Sequence, residues 1–71
     1  MSEKRVKLDQ VLFEFVPQGR YVKVSAVDPV TGTEISIVGD AQASAETLKR
    51  IATQKLEFVM TKRLNERSNS A

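Results

Sequence analysis

The stretch from Val11 to Gly39, VLFEFVPQGRYVKVSAVDPVTGTEISIVG, decides the fold. Its apolar residues recur at every second position, the period of a strand with one buried face. Strands are expected at about Val11–Val16, Tyr21–Asp28 and Glu34–Val38. Between them lie Pro17-Gln18-Gly19-Arg20 and Pro29-Val30-Thr31-Gly32. Pro opens a turn by fixing φ and Gly closes it at positive φ. Connections this short make an antiparallel meander. Placing Val16 opposite Tyr21 sets Phe15 against Val22, Phe13 against Val24 and Val11 against Ala26, with Glu14 against Lys23 on the other side. Placing Asp28 opposite Thr33 sets Ala26 against Ile35 and Val24 against Ile37. Both registers turn the same residues of the middle strand inward, and a slip of one residue would expose them all.

Beyond Gly39 the period changes. From Ser44 to about Glu66 the apolar residues Leu48, Ile51, Ala52, Leu56 and Val59 fall at helical spacing. Ser44 is a suitable N-cap and Glu46 a suitable first-turn acid, while Lys62, Arg63 and Arg67 gather where the helix dipole favours cations. The fold class is therefore α+β, a three-stranded antiparallel meander with one long C-terminal helix on one face. Phe13, Phe15, Val24, Ile37, Leu48, Ile51, Leu56 and Val59 form the expected core. Residues 1–10 read as a polar arm, 11–67 as the single domain and 68–71 as a frayed tail. A helix of about 22 residues is roughly 33 Å long, and strands of about six residues cover some 20 Å. The helix must overhang the sheet, with Met60 and Leu64 near the overhang.

Composition narrows the chemistry. The chain has 71 residues, no Cys and no His. It thus lacks thiolate ligands, disulfides and the commonest general base. No run approaches a membrane span and the start lacks the apolar stretch of a signal peptide, so a cytoplasmic protein is expected. Net charge is +2, with both signs mixed along the chain.

The block Gly19–Asp40, GRYVKVSAVDPVTGTEISIVGD, taken with Leu48–Met60, LKRIATQKLEFVM, and Phe13-Glu14-Phe15, resembles a family of short alphaproteobacterial proteins classed as a domain of unknown function. The resemblance implies a bacterial cytoplasmic origin. It implies no activity and no functional residues.

Each chemical motif has a structural reading that explains it fully. Asp28-Pro29-Val30-Thr31-Gly32-Thr33 shares residues with the motif of phosphorylated aspartate enzymes, but lacks its Lys and reads as a hairpin turn. Gly39 and Ser44 suggest an anion site at a helix start, yet a strand exit followed by an N-cap suffices. Lys55 falls near the middle of the helical stripe and is expected to lay its methylenes on the core and snorkel out at the sheet edge. Glu14 and Glu34 share the outer face as surface acids beside Lys23. No catalytic residue, metal ligand or cofactor is assigned.

The outer sheet face remains. It carries Leu12, Val16, Tyr21, Val27 and Val38 among Glu14, Lys23, Ser25, Glu34 and Ser36, more apolar than a solvated face requires. The expected function is a small non-enzymatic protein-interaction module. Its contact residues are Leu12, Tyr21, Lys23, Val27 and Val38 on the sheet, with Met60 and Leu64 at the helix end. The partner is another protein or, weakly, a second copy. The alternative is an RNA-binding module using Arg20, Lys23, Lys49, Arg50 and the basic arm, by analogy with the strands and helix of double-stranded RNA-binding folds.

Overall fold

The computed structural model describes the backbone of residues 5–69. Three strands, β1 (Leu12–Gln18), β2 (Tyr21–Val27) and β3 (Glu34–Asp40), are followed by one helix, α1 (Ala45–Asn69). The sheet order is β1-β2-β3, with both pairings antiparallel. This is the expected α+β meander, with β1 and β3 running about two residues further and the helix reaching through Ser68 and Asn69. Residues 1–4 of the arm and 70–71 of the tail lie outside the described residues.

The second hairpin has the expected register. The Asp28 N–H donates to the Thr33 carbonyl at 2.9 Å, Ala26 stands opposite Ile35, and Val24 opposite Ile37. In the first hairpin Phe15 stands opposite Val24, Phe13 opposite Ala26, Val16 opposite Lys23 and Glu14 opposite Ser25. That is a slip of two residues from the expected pairing. The pleat repeats every two residues, so each side chain keeps its face and the inward set survives. The Glu14–Lys23 pair does not survive, and Lys23 faces two valines instead, Val16 on β1 and Val38 on β3.

The cause of the slip is the turn. The loop is Gly19-Arg20 alone, with Gln18 opposite Tyr21. Gly19 has φ +66°, while among the described residues no residue other than glycine has positive φ. Positive φ at the first central position only is the pattern of a type II′ hairpin. Pro17 therefore belongs to β1 rather than to the turn. The Asp28–Thr33 bond sets the phase of β2: its even-numbered residues bond to β3 and its odd-numbered ones to β1. Pro17, opposite Val22, falls where no donor is needed toward β2, and its missing N–H lies on the free edge.

The helix starts at Ser44, whose Oγ accepts the Thr47 N–H at 3.1 Å. The Leu48 N–H closes the first turn onto the Ser44 carbonyl at 3.1 Å. Leu48, Ala52 and Leu56 are buried against Val22, Val24 and Ala26. Phe13, Phe15, Ile35 and Ile37 pack around this centre half-buried, and Val59 is also half-buried. Ile51 is not core but 42% exposed. The helix sits on the sheet through Ala52, and Ile51 lies about 100° away around the axis.

Two contacts orient the helix flanks. The Lys49 ammonium lies 5.6 Å from the Phe13 ring centroid, toward β1. The Lys55 ammonium donates to the Ser36 carbonyl at 3.1 Å, toward β3. The residues before β1 run along the far half of α1. The Val6 N–H donates to Thr61 Oγ1 at 3.0 Å, and the Leu8 N–H donates to Glu57 Oε2 at 3.2 Å. Two residues of extended chain advance about 6.6 Å and four helical residues about 6 Å, so the segment tracks the helix. Leu8, Val11 and Met60 extend the core there. With 25 residues, α1 is about 38 Å long against about 23 Å for a seven-residue strand, and this segment packs along the overhang.

Candidate interaction surface

Because the helix covers one side of the sheet, the other side is open. The registers arrange it in four cross-strand rows, Gln18–Tyr21–Asp40, Val16–Lys23–Val38, Glu14–Ser25–Ser36 and Leu12–Val27–Glu34. Tyr21 is 58% exposed and Val38 69%, and Leu12 and Val16 are exposed as well. Val27 is half-buried and Lys23 exposed. Lys23 thus rises between two exposed valines, one row from Tyr21. The five sheet residues singled out in the sequence do share one surface, although not one compact patch. Ser25 is buried in the polar row between them. Glu14, Glu34 and Asp40 against Lys23 make the face acidic.

Met60 and Leu64 are half-buried, and Met60 packs on the core. They are not a bare apolar end. At 100° per residue they lie on the flank of Glu57 and Thr61, which receives Val6 and Leu8. The signal was in the sequence: Arg5-Val6-Lys7-Leu8 continues the alternation of the strands. The opposite flank, toward β3, carries Ile51 and Phe58, and Phe58 is 66% exposed.

The four basic residues of the RNA alternative fall on different sides. Lys23 is on the open face. Lys49 and Arg50 are on the helix, across the sheet, and the Lys49 ammonium is engaged with Phe13. Arg20 is in the first turn, its carbonyl accepting the Ala41 N–H at 3.0 Å.

The remaining motifs take their structural roles. Lys55 does snorkel to the sheet edge. Asp28 is buried inside its hairpin turn, accepting from the Thr31 hydroxyl at 2.6 Å, the Thr31 N–H at 3.0 Å and the Val30 N–H at 3.3 Å. The Thr31 hydroxyl is the main cause that holds its carboxyl below the ordinary 3.8; burial acts in the opposite sense, and the two N–H bonds add to the lowering. Gly39 lies in β3 under Leu48, and a Cβ there would overlap the Leu48 side chain.

A family model described as a domain of unknown function, DUF6898, matches residues 8–63. The chain belongs to this family. The match begins at Leu8, so the DUF6898 domain takes in part of the segment on α1 along with the three strands and most of the helix. No curated protein and no solved structure matches the chain. Among the described residues, no helix is long and apolar enough to cross a membrane.

Proposed function

We propose that this chain is a small non-enzymatic module that binds another protein through the open face of its sheet. The observation that carries the reading is the Val16–Lys23–Val38 row beside Tyr21, where large apolar side chains stand exposed around a single cation. Tyr offers a broad contact surface at low conformational cost, which suits an anchor. The acids on the same face make the interface partly polar. The helix end contributes less than the sequence suggested, since Met60 and Leu64 are half-buried. The proposed setting is the alphaproteobacterial cytoplasm, which rests on the sequence resemblance.

Isotope-labelled protein titrated with cytoplasmic extract tests the reading. Shifts should appear at Leu12, Val16, Tyr21, Lys23 and Val38, and Tyr21→Ala should remove them without changing the fold. Perturbation of Arg20, Lys49 and Arg50 by RNA in low salt, with the sheet face silent, would replace this reading with the nucleic-acid one.

A further inference from the structure

The two sheet edges differ. On β1 the backbone groups facing outward belong to Phe13, Phe15 and Pro17, and Pro17 has no N–H. That edge is blunted in the usual way. On β3 the phase set by the Asp28–Thr33 bond turns Glu34, Ser36, Val38 and Asp40 outward. The Asp40 carbonyl is already taken by the Ala43 N–H at 3.0 Å. The Ser36 carbonyl accepts Lys55, and a carbonyl oxygen has a second lone pair. The residues able to pair through both backbone groups are therefore Glu34, Ser36 and Val38, spaced symmetrically about Ser36.

We propose that β3 is a self-association strand, pairing antiparallel with β3 of a second copy across a two-fold axis at Ser36. This register sets Ser36 against Ser36 and Glu34 against Val38 of the second copy. The neighbouring register, centred on Ile37, would oppose Glu34 to Asp40 and call on a carbonyl already used. The register centred on Val38 also reaches Asp40, and the one centred on Ile35 loses a pair. On the helix side, Ile35 meets Ile37 of the second copy twice, and both residues are only half-buried in the single chain. The helices would lie over the middle strands, about three strand spacings or 14 Å apart. That exceeds helix contact distance and leaves a gap for large side chains. Ile51 and Phe58, exposed on this flank, fill it.

The occupant is a second copy because the free groups and the isoleucines are self-complementary about one point. The product is a six-stranded sheet with both helices on one side, which enlarges a core that is small for a chain of 71 residues. The contact is one strand edge and one helix flank, and Lys55 partly guards the edge, so association is weak. The surface is the edge and helix flank, separate from the Tyr21 anchor of the proposed function.

Sedimentation and residue-resolved amide exchange across a concentration series test this. Dimer should form as concentration rises, and the Ser36 and Val38 amides should become protected while those of Phe13 and Phe15 do not. Phe58→Asp, a surface change, should weaken association at least tenfold. Ser36→Pro should abolish it, and Lys55→Met should strengthen it. A chain monomeric at millimolar concentration, or a dimer that leaves the Ser36 and Val38 amides unprotected, overturns the proposal. Tyr21→Ala should leave the dimer intact, so failure here and failure of the face reading are distinct results.

Discussion

Single residues set the turns and the helix contact in this chain. Gly19 and Gly32 have φ +66° and +77°, where a β-branched residue is strained. Val at either position should destabilise by about 1–3 kcal/mol in urea melts. Unchanged melting for both would mean that the loops adopt other turns. Gly39 has no positive φ, but its missing side chain lets Leu48 sit on β3. Gly39→Ala should cost about 1–3 kcal/mol, as overpacking does. Asp28 adds a pH dependence. Its folded pKa is depressed, so its contribution is present above the unfolded value near 3.8 and is lost as pH falls through the lower folded value. Asp28→Asn should thus be less stable than wild type at neutral pH, and the gap should narrow in acid below 3.8. A gap that stays constant down the titration would show that the charge plays no part. Neither glycine φ nor the Asp28 turn was hidden in the sequence, because Pro, Gly and Asp at turn positions have local mechanisms. The sequence marks Gly39 only as a strand exit, because the reason for that glycine is a contact with Leu48, distant in structure type although near in chain.

Elements were legible wherever their period spoke for itself. The period identifies the inward faces of the three strands but not the first register, which differs by two residues from the expected one, because period two cannot distinguish such slips. What decides between them is whether the loop has two residues or four, and Pro17 looked like a turn opener. Its tolerance on a free edge depends on which strand lies outside, a fact of topology. The helix phase was ambiguous for a similar reason. Leu48, Ala52 and Leu56 make one row and Ile51 with Phe58 another, and only docking shows that the small Ala52 lies at the contact. The start of α1 is a more local matter. Ser44 accepts the Thr47 N–H, and its hydroxyl lies 2.8 Å from Thr47 Oγ1. Ser44→Ala should cost about 1 kcal/mol, read from the denaturant midpoint, and Ser44→Asp should restore most of it. If Ala and Asp behave alike, the cap is not contributing.

At the scale of the molecule, the elongated shape, 46 × 21 × 20 Å, follows from a helix longer than its sheet. Such an overhang would leave the Met60 and Leu64 side of the helix wet. The described segment before β1 instead runs along it, placing Val6 and Leu8 where the sheet has run out. The open sheet face and the β3 edge, rather than the helix end, are therefore the surfaces proposed for partners. Composition alone makes residues 1–10 a polar arm, because Arg5, Lys7 and Asp9 are prominent in it. Composition is a poor guide when every second residue faces inward. The role of the segment can be measured. Both apolar side chains are half-buried, so Val6→Ala with Leu8→Ala should cost about 2–4 kcal/mol together, less than a fully buried pair. That is a large share of the stability of a domain this small. The loss should appear as a lower urea midpoint, with the Met60 methyl resonance moving toward its solvent-exposed position. Glu57→Gln, which keeps an acceptor for the Leu8 N–H, should change the midpoint far less. A double variant that melts like wild type, with Met60 unmoved, would show that the segment lies on the helix without supporting it.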